Sequence, residues 1–200
     1  MKNVLLTYLA FLPLTFLNGQ TFTEQKQTPF DGVSNSSIAF ADVDGDEDMD
    51  VLITGSSSNF GPVAKLYIND GEGNYTEVDE TPFVGVFASS IAFADIDGDK
   101  DMDLLITGDS AFSPSHMKFT GVSILYVNDG VGRFTEELET PIDAVTSSSI
   151  AFADIDGDED MDLLITGSFL SKLYTNDGNG NYTEVLETPF DGVRYSSANK

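Results

Sequence analysis

Short apolar stretches of alternating character recur along the chain, each closed by glycine or by an acidic turn. In residues 37–43, Ile38 and Phe40 alternate with small residues, the period of a half-buried strand. Residues 51–54 form a short apolar run ending at Gly55, as a buried strand does. Residues 65–69 and 75–78 flank Asp70-Gly71-Glu72-Gly73, whose composition accepts positive φ, so this stretch predicts a hairpin. Beyond the first twenty residues no segment shows a 3.6-residue period. The expected content is therefore all-β, with four short strands per unit.

The first residues follow a different pattern. A short basic start at Met1-Lys2-Asn3 leads into an apolar run from Val4 to Leu17, broken only by Thr7, Pro13 and Thr15. Asn18-Gly19-Gln20 then supplies small and polar residues, completing the layout of a secretory signal peptide over residues 1–19. The run falls short of the ~20 residues that cross a bilayer. A buried strand or a retained anchor is the alternative. Cleavage near Gly19 would leave residues 20–200 secreted, extracellular or at the cell surface, with no direct membrane insertion.

The strand pattern belongs to a repeat. Ser-Ser-Ile-Ala-Phe-Ala-Asp stands at 36–42, 89–95 and 148–154. Each copy runs into an acidic loop (42–50, 95–103, 154–162), then an apolar strand, a variable insert and Leu-Tyr-x-Asn-Asp-Gly at 66–71, 125–130 and 173–178. An aromatic-Thr-Glu segment leading to Thr-Pro closes each unit at 75–82, 134–141 and 182–189, and residues 22–30 match it too. Repeated four-stranded units of ~40–60 residues predict β-propeller blades. A β-sandwich built by duplication competes with that reading. Propellers close with about 4–8 blades. Three units, with the chain opening and ending in the same phase at Ser196-Ser197-Ala198, suggest part of a larger or truncated propeller. Three blades alone would leave an exposed sheet edge.

Charge narrows the partners. Asp and Glu number 34 against 9 Lys and Arg, for a formal charge of −25. A polyanion would be repelled, which argues against nucleic acid, and anionic headgroups are equally unfavourable. Disorder does not fit 40% hydrophobic content and 15 Phe. With no cysteine there is no disulfide framework and no thiolate nucleophile. Seventeen of the acidic residues lie in the three nine-residue loops, six, five and six in turn.

Aspartates occupy positions 1, 3, 5, 7 and 9 of every loop: Asp42, Asp44, Asp46, Asp48 and Asp50; Asp95, Asp97, Asp99, Asp101 and Asp103; Asp154, Asp156, Asp158, Asp160 and Asp162. On one face of a strand five like charges would repel; a loop wrapped round a cation removes that repulsion. Hard oxygen donors at alternating positions, with a bend allowed at Gly45, Gly98 or Gly157, suit Ca²⁺ and its 6–8 oxygens better than Mg²⁺. Zinc and copper would want imidazole or thiolate, which the loops lack. An EF-hand needs Gly at position 6 and Glu at 12, and here those positions hold Glu47, Lys100 or Glu159 and Ile53, Ile106 or Ile165. About one Ca²⁺ per loop is expected.

The run Ile-Ala-Phe-Ala-Asp-x-Asp-Gly-Asp-x-Asp-x-Asp, followed by Leu-Tyr-x-Asn-Asp-Gly and Phe/Tyr-Thr-Glu, resembles the VCBS/FG-GAP repeat, whose related blade builds integrin α-subunit propellers. The resemblance covers residues 22–197. It implies calcium held by side chains at positions 1, 3, 5 and 9, with position 7 (Asp48, Asp101, Asp160) contributing through its backbone carbonyl or as an outer ligand. Many members carry a second Gly at position 6, where this chain has Glu or Lys; Lys100 would also offset part of its loop's charge.

No catalytic constellation is visible. His116, the single histidine, lies in an insert containing Ser and Pro, so a Ser-His-Asp triad would hang on one loop residue. The crowded, repeated aspartates do not suit the divergent pKa values that glycoside hydrolysis requires. Asn35, Asn74 and Asn181 head Asn-x-Ser/Thr sequons. The expected function is a secreted or cell-surface calcium-binding propeller module for adhesion, scaffolding or binding an unknown protein or glycan ligand. The inserts 56–64 and 109–123 are its expected contact loops. The second reading is the non-catalytic propeller portion of a larger secreted polysaccharide-active enzyme.

Overall fold

The computed structural model describes residues 23–26, 28–113, 118–167 and 169–190. The signal-like segment 1–19, His116 and Ser196 to Ala198 lie outside them. All twelve elements are strands, in three four-stranded sheets, and among the described residues there is no helix. The first sheet comprises β1 (Val33–Ala41), β2 (Asp50–Ser57), β3 (Gly61–Asn69) and β4 (Tyr75–Glu77). The second holds β5 (Phe87–Ala94), β6 (Asp103–Ser113), β7 (Lys118–Asn128) and β8 (Phe134–Glu137). The third holds β9 (Ser149–Ala153), β10 (Asp162–Gly167), β11 (Leu170–Asn176) and β12 (Tyr182–Glu184). Each is an antiparallel meander in chain order, the form of a propeller blade.

Register explains the order within a blade. Ile38 pairs with Ile53 and Phe40 with Val51, which pairs in turn with Tyr67, so one apolar row crosses three strands. Strands β1 and β5 begin with a bulge, at residues 34–37 and 87–90. The residue there is left-handed at Asn35 (φ 48) and Ala88 (φ 45), as is Ser147 (φ 49) ahead of β9. Opposite the first bulge stands Gly55; a Cβ on it would meet that of Val33 at 2.9 Å, so only glycine fits.

The sheets stack through their first strands, β1 against β5 and β5 against β9. Leu52 and Leu66 of the first sheet are buried against Ile91, Leu104, Ile106 and Tyr126 of the second. Leu105 and Leu125 repeat this against Leu163, Ile165 and Tyr174 of the third. Fully burying one such side chain contributes about 2 kcal/mol. The connecting segments are pinned as well: the Val84 N–H donates to Tyr126 Oη at 3.0 Å and the Asp143 N–H to Tyr174 Oη at 3.2 Å.

The insert 56–64 is mostly strand. β2 and β3 continue through it as a hairpin closed at residues 58–60, with Phe60 exposed at its tip. Insert 109–123 likewise prolongs β6 and β7, and residues 114–117 lie outside the description.

Candidate metal centre

Each acidic loop joins the first and second strands of its sheet. Its first aspartate folds the backbone. Asp42 accepts from the N–H groups of Gly45 (2.8 Å), Asp46 (3.2 Å) and Glu47 (2.9 Å). Asp95 does the same for Gly98 and Lys100, and Asp154 for Gly157 and Glu159. These bonds require a left-handed residue at position 6, and Glu47 (φ 71), Lys100 (φ 78) and Glu159 (φ 75) adopt it. The turn that glycine would make is kept at a cost of roughly 1–2 kcal/mol per site. Glu47→Gly and Lys100→Gly change charge in opposite directions. Both should nevertheless raise stability by about 1 kcal/mol in urea unfolding with calcium present. A gain in only one would mean that charge, not backbone, governs position 6.

The ninth aspartate is buried. Asp50 accepts from the Val43 N–H at 3.0 Å and the Asn69 N–H at 2.8 Å. Asp103 takes Ile96 and Asn128, and Asp162 takes Ile155 and Asn176, at 2.8–3.0 Å. The asparagine of Leu-Tyr-x-Asn-Asp-Gly is thus part of the site's scaffold. Its recurrence beside every loop was the available signal, which the sequence reading did not assign to the site.

One carboxylate oxygen from each of Asp42, Asp44 and Asp50 falls within 4.8 Å of the others, as happens for Asp95, Asp97 and Asp99, and for Asp154, Asp156 and Asp162. Position 5 joins such a group in the second loop, and position 9 in the first and third. In all three loops the position-5 aspartate, Asp46, Asp99 or Asp158, turns an oxygen to the N–H of Asp48, Asp101 or Asp160. The position-7 side chains lean on the β3–β4-type turns: a Cβ on Gly71, Gly130 or Gly178 would collide with Asp48, Asp101 or Asp160.

Crowding shows in the acidities. Burial, reinforced by Asp46 and Asp42, raises the Asp44 carboxyl. Burial followed by the charge of Asp99 raises Asp97, and burial followed by Asp158 raises Asp156. Burial pushes Asp103 up to about 6, against the opposing N–H groups of Asn128 and Ile96 and with the help of Asp97 and Asp99. Carboxyls pressed together in this way hold their protons more tightly than isolated ones do.

A four-stranded blade with an Asp-rich loop between its first two strands defines a propeller-type repeat protein. The model for the FG-GAP-like repeat matches residues 50–106 and 117–165, just over half the sequence. The chain belongs to that family. Among solved structures it is similar to a lectin of Agrocybe aegerita, described by its recognition of non-reducing terminal N-acetylglucosamine. The identity is 19% and the TM-score 0.51 over 76% of this chain and 38% of that one. At that identity the likeness concerns the fold, and the chain spans well under half the length of the lectin. No curated protein sequence matches it.

Proposed function

We propose that the chain is a secreted or cell-surface propeller module, stabilised by one Ca²⁺ in each acidic loop, that binds a glycan or protein and serves adhesion. The carrying observation is the threefold recurrence of a carboxylate group small enough for one ion. Ligands at 2.3–2.6 Å on opposite sides of a Ca²⁺ stand about 5 Å apart, and the grouped oxygens lie within 4.8 Å. Asp44 Oδ1 supports the fit, being buried without a hydrogen-bond partner. The aspartates offer hard oxygen donors, and the loops hold neither histidine nor cysteine. Asp42, Asp44, Asp46 and Asp50 would hold the first ion, Asp95, Asp97, Asp99 and Asp103 the second, and Asp154, Asp156, Asp158 and Asp162 the third. Asp48, Asp101 and Asp160 would serve through backbone or as outer ligands. Residues 1–19 would direct export and residues 20–200 form the module.

A glycan is the favoured ligand class. A cleft of about 280 Å³ opens beside the first two loops, lined by Phe93, Met49 and Met102 with Asp42, Lys100 and Asp101 around them. An apolar floor with convergent polar groups suits a sugar ring, and the volume is at the small end for ligand sites. The lectin-like fold agrees with this reading. A glycan array probed in calcium should give a discrete set of binders that Phe93→Ala weakens at least tenfold and EGTA abolishes. Uniform silence, with the protein folded and calcium-loaded, would remove the glycan reading.

A further inference from the structure

The two outermost sheet faces are the separated halves of an interface the chain already makes twice. At the first junction Ala39, Ala41, Leu52 and Leu66 oppose Ile91, Phe93, Ile106 and Tyr126. At the second, Ala94, Leu105 and Leu125 oppose Ile150, Phe152, Ile165 and Tyr174. The free face of the third sheet carries Ala151, Ala153, Leu164 and Leu173, the same residue types as the donor side. The outer face of the first sheet carries Ile38, Phe40 and Ile53, with Tyr67 of the same face buried beneath Phe30; these are the same types as the acceptor side. Their burial records the missing half. Ile38 is 57% exposed where Ile91 is 7%, and Ala151 and Ala153 are exposed where Ala41 is buried.

Polar contacts across the junctions are interrupted in the same way. Thr54 Oγ1 meets Ser89 Oγ at 2.8 Å and Thr107 Oγ1 meets Ser148 Oγ at 2.7 Å. Among the described residues Thr166 reaches Ser149 O of its own sheet, at 3.5 Å, and Ser36 is exposed. Asn128 Nδ2 donates to Val43 O and Asn176 Nδ2 to Ile96 O, at 2.8 and 2.7 Å. Among the described residues Asn69 Nδ2 donates to Met49 O of its own sheet, and Ile155, matching Val43 and Ile96, is 50% exposed where they are 1%.

We propose that these faces bind each other between two copies of the chain, the third sheet of one against the first sheet of the other, closing a six-bladed ring. The interface is heterologous, so it must close or grow into a filament. Two copies of this 200-residue chain bring together six of the described sheets, within the about 4–8 blades at which propellers close. Continuity selects the occupant: a second copy offers the same residue types, in the same pattern, that the chain buries at its own junctions. Thr28-Pro29-Phe30 already covers the first sheet, with Phe30 edge-on to Tyr67 at 5.0 Å. The matching residues 188–190 are therefore redundant in the ring and stay in solvent, where Phe190 is 45% exposed. The pairing requires no glycan.

Light scattering in calcium and physiological salt, which screens the like charges, should return twice the mass of one chain. Phe40→Asp, at a position 59% exposed in the single chain, should give one-chain mass with unchanged circular dichroism. The chain has no cysteine, so Ser36→Cys with Thr166→Cys tests the contact directly. Oxidation should link two chains, whereas Thr54→Cys with Ser89→Cys should close within one chain. A one-chain mass without inter-chain linkage, while the control pair oxidises, overturns the proposal. A ladder of higher multimers overturns ring closure.

Discussion

Excess EGTA added to the calcium-loaded chain should lower its melting temperature by about 15–30 °C. An ion that binds only the folded chain adds about 2.7 kcal/mol at a hundredfold excess over its Kd, or about 8 for three sites. For 150–250 residues each kcal/mol moves the midpoint by about 2–4 °C. The physical reason lies in the loops, where five aspartates in nine residues are folded into one turn. Without a cation the like charges oppose that turn, and Asp44 Oδ1 is buried with nothing to bond. Asp44→Asn should remove about a third of the EGTA effect, because it spares two loops. Scanning calorimetry with and without EGTA measures both. An identical transition in the two buffers would eliminate structural calcium.

The blades were legible in the sequence because the repeat writes them three times. Alternation at Ile38 and Phe40 identified a first strand, and the hairpin at residues 70–73 appears as read. Boundaries were less legible for two reasons. The first strand starts at Val33 rather than Ser37 because a bulge at Asn35, with φ 48, breaks the alternation. Gly55 reads as a strand end, yet it lies inside β2 as the residue that tolerates the close approach of that bulge. The acidic loops were legible as clusters of carboxylates by composition, but the division of labour within them was not. All five aspartates look alike in sequence. What distinguishes them is Asn69, nineteen positions beyond Asp50, whose N–H holds the ninth, and Gly71, against which the seventh rests. The cleft beside the first two loops depends on how two blades meet, which no local pattern encodes.

In EGTA, stability should fall as pH rises from about 4 to 6.5, and in millimolar calcium it should rise over the same interval. Asp103 carries the first half of this expectation. Burial lifts its folded-state pKa from the ordinary 3.8 to about 6. Such a group favours folding while protonated; that contribution is complete below about pH 4 and is lost as pH rises through about 6. At 1.36 kcal/mol per unit the shift carries about 3 kcal/mol, which relaxation and water penetration trim to roughly 1–2. Asp44, Asp50 and Asp97 are raised too, burial being the largest cause in each, and act in the same direction. Asp70 and Asp177, held low by the side-chain amides of Asn74 and Asn181, act oppositely, but below pH 4 and from exposed positions. Calcium reverses the slope because it binds only the ionised carboxylates, so each proton removed above pH 4 strengthens the site. Asp103→Asn should flatten the EGTA profile by removing its main titrating group, while the first and third loops keep the calcium-dependent rise. Parallel profiles in the two buffers would mean that protons and calcium do not compete for these carboxylates, and the loops would then be acidic turns without a cation.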